Sequence, residues 1–274
     1  MNKVTGASRR FSKALRGLAT AGVVTITAVA ALTASAHTQE QLTLKVGSEG
    51  AYPPYNFVKA DGTVAGFEID IANALCEELK AKCQIIVQDW DGMIPALQSG
   101  KLDVVISSMS ITPARKEQVD FSNKYYNPAA AIAVPKDSDI KGTAKEDLAG
   151  KTVGVQSSTV HAVFSEHEYT DSTINNYGSS DEARMDMVAG RVDAVNDNIV
   201  SLIDWLKTPE GACCKLVGPV KANLEIHGPG VGVAIKKGRE ELVEKFNTAI
   251  LAIRDNGKYK EINDKYFDFD IYGE

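Results

Sequence analysis

Short β-branched, apolar runs alternate along this chain with stretches in which apolar residues return every three or four positions. Leu42, Leu44 and Val46 alternate with polar neighbours and predict a strand over 42–46. Phe67, Ile71, Ala74, Leu75 and Leu79 recur at helical spacing and predict an amphipathic helix over 67–80. A β-branched strand over 85–87 follows, then a helix over 93–98 stopped by Gly100, then a strand over 102–106. Strands spaced by helices in this way indicate βαβ units and a mainly parallel sheet. Towards the C-terminus Leu242, Phe246, Ile250 and Ile253 mark one face of a helix that Asn256-Gly257 closes, and a second helix is predicted over 258–266.

Part of the pattern occurs twice. ALQSGKLDVV (96–105) returns as MVAGRVDAV (187–195): helix end, glycine stop, cation, aliphatic residue, aspartate, strand. LTLKVGSEGAY (42–52) likewise returns as KTVGVQSST (151–159), a strand running into a polar loop. The repetition suggests two similarly built α/β lobes that divide near Asn127. Asp103 and Asp193, the echoed acids, read as structural residues of the αβ loops.

The first 36 residues interrupt this pattern. Lys3, Arg9, Arg10, Lys13 and Arg16 form a basic stretch without acids, an apolar run of about 15 residues follows, and Ala34-Ser35-Ala36 has the small-x-small form of a cleavage site. Residues 1–36 are therefore expected to be a signal peptide. No later segment is long and apolar enough to span a bilayer. The mature chain should begin near His37 and be soluble outside the cytoplasm. With those five cations set aside, 25 Lys and Arg face 36 Asp and Glu. That acidic balance disfavours nucleic acid and anionic lipid as partners. Cys76 and Cys83 lie seven residues apart, a plausible staple in an oxidising compartment, whereas the state of the adjacent Cys213 and Cys214 stays open. No metal is expected, because neither CxxC nor a His-x₃-His spacing occurs.

The candidate chemistry lies in ISSMSITPAR (106–115), where three serines, a threonine and Arg115 follow an apolar strand. An arginine fork donates two parallel hydrogen bonds to a carboxylate and keeps its charge, and hydroxyl groups complete the oxygen shell. In open α/β sheets, ligands bind beyond the carboxyl ends of strands. Applied to both lobes, the rule selects the loops 49–52, 107–110, 157–159 and 196–198. Facing lobes would gather there an arginine, two carboxylates, several hydroxyls and the aromatics Tyr52 and Trp90, an inventory suited to a zwitterion with an extra positive charge. Gly228-Pro229-Gly230 precedes a strand rather than opening a helix, so it is not a phosphate loop.

The segments GSEGAYPPYNF (47–57), GFEIDIANALCEELKAKC (66–83), DWDGMIPAL (89–97), DVVISSMSITPAR (103–115), GVQSST (154–159), GRVDAVNDN (190–198) and KYFDFDIYG (265–273) resemble the periplasmic amino-acid-binding proteins of ABC importers. The resemblance spans the whole mature chain and is strongest to the lysine/arginine/ornithine–histidine and opine-binding branch. It implies a type II periplasmic binding protein-like fold: two α/β lobes joined by a hinge, 37–127 with 228–274 forming the first and 128–227 the second. By the same resemblance Arg115 clamps the ligand α-carboxylate with Ser110 and Thr159. Asp197 takes the α-ammonium with Ser108 and Ser110, and Tyr52 and Trp90 sandwich the side chain, which Ser107 also contacts. Cys76–Cys83 matches the family's short disulfide.

Glu49 stands where the lysine/arginine/ornithine type has aspartate, which leaves the ligand open between a cationic amino acid, an opine conjugate and a polar neutral amino acid. The implied role is a periplasmic, monomeric receptor that uses no cofactor and delivers its ligand to an inner-membrane ABC permease. Catalysis of the dehydratase type is the rival from another class. It lacks support, since no nucleophile-elbow sequence or paired cleft carboxylate appears.

Overall fold

The computed structural model describes residues 41–127 and 129–273, so the expected signal peptide lies outside the described residues. The first lobe opens with β1 (Thr43–Ser48) and a small antiparallel sheet of β2 (Ala51–Tyr52), β3 (Asn56–Val58) and β4 (Val64–Ala65). It continues through α1 (Phe67–Glu78), β5 (Lys82–Val87), α2 (Met93–Ser99), β6 (Val104–Val105), α3 (Pro113–Lys116) and β7 (Val119–Tyr126). The chain then builds the second sheet with β8 (Ala130–Pro135), β9 (Thr152–Gln156), α4 (Val160–Glu168), β10 (Thr173–Tyr177), α5 (Ser180–Val188), β11 (Ala194–Asn198), α6 (Ile199–Trp205), β12 (Cys214–Pro219) and the short α7 (Leu224–His227). It returns to the first sheet with β13 (Val231–Lys236), α8 (Glu240–Asp255) and α9 (Lys258–Tyr266).

Each large sheet has five strands, ordered β5-β1-β6-β13-β7 and β10-β9-β11-β8-β12. In both, the first three strands are parallel and the fourth runs against its two neighbours. The reversed strand comes from the other side of a crossing in each case: β13 follows the second sheet, and β8 follows the first. Two connections, β7 to β8 and β12 to β13, thus join the lobes. Apolar side chains cover both faces of each sheet, as buried parallel strands require.

The sequence repeat has a physical counterpart. Asp103 accepts the backbone N–H of Lys45 at 2.9 Å, and Asp193 accepts that of Thr152 at 2.7 Å. Each echoed aspartate thereby ties the loop after a helix to the equivalent strand of its own sheet, β1 in one and β9 in the other. The glycine stops are equivalent too, since Gly100 (φ 75°) and Gly190 (φ 73°) both take the left-handed conformation that a side chain would disfavour. The Cys76–Cys83 disulfide clips the end of α1 to β5. Cys213 and Cys214 are free thiols, one exposed and one buried.

Candidate functional site

Loops at the carboxyl ends of β1, β6, β9 and β11 meet across the two lobes. All the sequence-predicted residues except Asp197 line one cavity: Glu49, Tyr52, Trp90, Ser107, Ser108, Ser110, Arg115 and Thr159. The atom-free space among these residues, part of it open to solvent, comes to about 560 Å³.

Arg115 reaches the cavity from α3, whose first turn is set by Thr112, a hydroxyl N-cap accepting the Arg115 N–H, and by Pro113 at the first helical position. Its guanidinium lies over the Trp90 ring, 5.2 Å from the centroid. It donates to the carbonyl oxygens of Ser110 (3.1 Å) and, across the cleft, Ser158 (3.0 Å). These partners are neutral, so the buried charge has no anion beside it among the described residues. Burial draws the Arg115 pKa down to about 10, which still leaves it charged at neutral pH.

The serines are held by an acid beneath them. Glu68, fully buried on α1, accepts the Ser108 N–H at 2.6 Å, its hydroxyl at 3.0 Å, and the Asn56 amide at 2.7 Å. These bonds compensate Ser108 for its left-handed backbone (φ 53°) and fix the loop that follows β6. Ser107 accepts the Glu49 N–H at 2.9 Å. Thr159 caps α4, accepting the Ala162 N–H and donating to the Gln156 carbonyl. The Glu49 carboxylate accepts from the Gln156 amide of the other lobe at 2.6 Å. Burial raises the Glu49 pKa to about 7, against the pull of that hydrogen bond.

Asp197 is not among the residues that line the cavity. It is 2% exposed, and its oxygens are taken by Arg184 (2.6 Å), the Tyr52 hydroxyl (2.5 Å) and the Asn198 N–H (2.7 Å). Burial favours its neutral form, but Arg184 and the hydrogen bonds outweigh that and hold its pKa below the ordinary value. Successive strand residues face opposite sides, so Asn198 lines the cavity in its place. Gln156, Tyr126, His161 and His227 also line it and were not singled out. Gln156 and Asn198 end strands inside the segments already noted, and strand alternation could have found them. His227 left no such trace, because it comes from the distant return crossing.

The lobes touch through several polar bonds besides those of Arg115 and Glu49. Tyr55 donates to Asn198 (3.0 Å), Ser201 to the Pro53 carbonyl (2.8 Å), and Ser157 to Asp91 (3.0 Å). The cleft is therefore closed.

The sequence profile of the bacterial extracellular solute-binding proteins, family 3, matches residues 44–269. The chain is 46% identical over 233 residues to the L-arginine-binding protein of Pseudomonas aeruginosa, covering 84% of this chain and 90% of that protein. It is 34% identical over 233 residues to the histidine-binding periplasmic protein of Escherichia coli K12, covering 84% and 89%. Among solved structures, an ancestral arginine-binding protein bound to arginine superposes with a TM-score of 0.76 at 38% identity, covering 82% of this chain and 98% of that one.

Proposed function

Because this chain belongs to the bacterial extracellular solute-binding proteins, family 3, we propose that it captures a cationic amino acid in the periplasm and hands it, chemically intact, to an inner-membrane ABC permease. The single observation that carries the reading is Arg115, a buried cation in a cleft between two lobes that, among the described residues, hydrogen-bonds carbonyls and no anion. A buried charge without a counter-ion is costly, and a ligand carboxylate removes that cost. Glu49, an acid on the cavity wall, suits a ligand cation at the other end. Trp90 and Tyr52 supply aromatic faces between them.

In this reading residues 1–36 are a cleaved signal peptide, 37–127 with 228–274 form one lobe, 128–227 form the other, and the protein works as a monomer. Ser107, Ser108, Ser110 and Thr159 complete the oxygen shell. Asp197 takes the ligand α-ammonium with the acceptor capacity its three bonds leave, together with Ser108 and Ser110, and also serves closure through Tyr52. Closure is a population shift, driven by contacts that exist only when both lobes hold the same molecule.

Isothermal titration against L-arginine, L-lysine, L-ornithine, L-histidine and opines tests the proposal, with the ligand recovered afterwards. Arg115→Ala should weaken binding at least tenfold, from the ~1.5–3 kcal/mol typical of a charged hydrogen bond. Unchanged binding in that variant would overturn the assignment of Arg115, and a converted ligand would overturn the carrier role.

A further inference from the structure

Cys213 and Cys214 are adjacent in sequence, and their sulfurs lie 2.8 Å apart. Adjacency alone does not produce that contact, because successive side chains on a strand point to opposite faces. It comes from a change of backbone between the two residues. Cys213 ends a 3-10 turn, Gly211–Cys213, and Cys214 opens β12 in extended conformation (φ −119°, ψ 170°). Both sides of the junction are pinned. The Lys136 N–H donates to the Cys213 carbonyl at 2.9 Å, and Cys214 pairs with Pro135 of β8. The turn begins with the Gly211 N–H bonded to the Thr208 hydroxyl at 3.2 Å, at a point where any side chain would strike the Trp205 carbonyl. The fold therefore holds the two sulfurs together.

The thiols differ in access. Cys213 is exposed, whereas Cys214 is buried in the apolar cluster that contains Ala133 and Leu202. Burial and the neighbouring thiol push the Cys214 pKa up to about 12, so Cys213 is the sulfur that meets reagents from solution. A metal is a poor fit to the pair. Two sulfurs bound to one zinc at ~2.3 Å stand about 3.7 Å apart in a tetrahedron. No third ligating residue joins them among the described residues.

We propose that Cys213 and Cys214 form a covalent modification site, which a disulfide donor, the class of oxidant found in oxidising compartments, converts to a vicinal disulfide. The Cys213 thiolate attacks the donor, forms a mixed disulfide and releases one donor thiolate. Cys214 then gives up its proton, and its sulfur attacks that of Cys213 and expels the second donor thiolate. Two protein thiols are oxidised, one donor disulfide is reduced, and the two protons leave on the two donor thiolates. The close approach of the second sulfur favours this closure over a bond to another molecule.

The bond is also a labile one. Neighbouring Cα atoms stand about 3.8 Å apart, short of the roughly 4.4–6.8 Å that disulfides span without strain. The Cα atoms of Cys76 and Cys83 are 6.2 Å apart, within that span, so the vicinal bond should be the easier of the two to reduce. The site lies away from the cleft. Ala130 of β8 lines the cavity, and Pro135, opposite Cys214, is roughly 17 Å further along the strand. The inference does not depend on what the cleft binds.

The test incubates the purified protein with glutathione disulfide, quenches it with acid, labels free thiols with N-ethylmaleimide in denaturant and analyses the peptides by mass spectrometry. The peptide holding both cysteines should carry neither maleimide nor glutathione and should be lighter than the dithiol peptide by two hydrogens. Raising the ratio of reduced to oxidised glutathione should open it before Cys76–Cys83. Cys214→Ser should stop at the mixed disulfide and keep glutathione on Cys213. Cys213→Ser retains only the buried thiol and should react at least about tenfold more slowly than the wild type. Persistent glutathione on wild-type Cys213, a dimer linked through it, or two unreacted thiols would overturn the proposal. Opening of Cys76–Cys83 first would overturn the assignment of the vicinal bond as the labile one.

Discussion

Tyr52 of the small β2–β3–β4 sheet donates its hydroxyl to Asp197 at the end of β11, bridging the lobes at 2.5 Å over 145 residues of sequence. Arg184 holds the other Asp197 oxygen from within the second lobe. The acid is therefore already neutralised when Tyr52 arrives, and the bond can form or break with lobe closure without stranding a charge.

Tyr52→Phe removes that bridge and keeps the ring. Ligand affinity should fall about tenfold, the order expected for a hydrogen bond to a charged group. Small-angle scattering of the ligand-free variant should show a larger radius of gyration than wild type. An identical radius and affinity would show that the bond does not contribute to closure.

Arg184→Leu should behave differently, because it leaves Asp197 buried without its cation. Breaking a buried pair costs roughly 3–5 kcal/mol, and the loss should appear as a lowered melting temperature in the presence and absence of ligand. Adding Asp197→Asn to it should restore part of the stability. A double variant as unstable as the single one would locate the damage in lost packing around Trp205, over which the guanidinium lies.

Glu49 gives stability and binding a signed pH dependence. Its folded pKa of about 7 lies above the ordinary carboxylate value of 4.5, so between these pH values the folded state holds a proton that the unfolded chain has lost. Stability from this group therefore falls as pH rises towards 7. His161, lowered to about 4 from 6.5, has the opposite slope between those values. The two offset each other up to about pH 6.5, and the Glu49 loss stands alone above it. A cationic ligand ionises Glu49, so binding near pH 6 should release a proton, detectable by calorimetry in buffers of different ionisation enthalpy. Glu49→Gln should abolish both effects. A variant with wild-type proton release would exclude Glu49 as its source.

The Cys76–Cys83 bridge closes a short loop between α1 and β5. Replacing both residues with serine should cost about 2–3 kcal/mol by the loop-closure argument and leave ligand specificity unchanged. Denaturant unfolding measures the first and a ligand screen the second.

Much of this architecture was readable from residues alone. Periodicity located α1, α2, α8 and α9, and the repeated glycine–cation–aliphatic–aspartate pattern pointed to two related sheets, because such local signals depend only on spacing and backbone preference. The post-strand rule gathered Arg115, the serines, Glu49 and Thr159 at one cleft. What needed three dimensions was the sorting of adjacent polar residues between wall and cavity. Asp197 and Asn198 are neighbours on one strand, and the choice between them was made by Arg184, thirteen residues away in sequence, and Tyr52 in the other lobe. His227 entered the site through the return crossing, a contact that no local pattern encodes. Burial decided the charges as well: sequence names the titratable groups, but the field and desolvation that set them exist only once the lobes have closed.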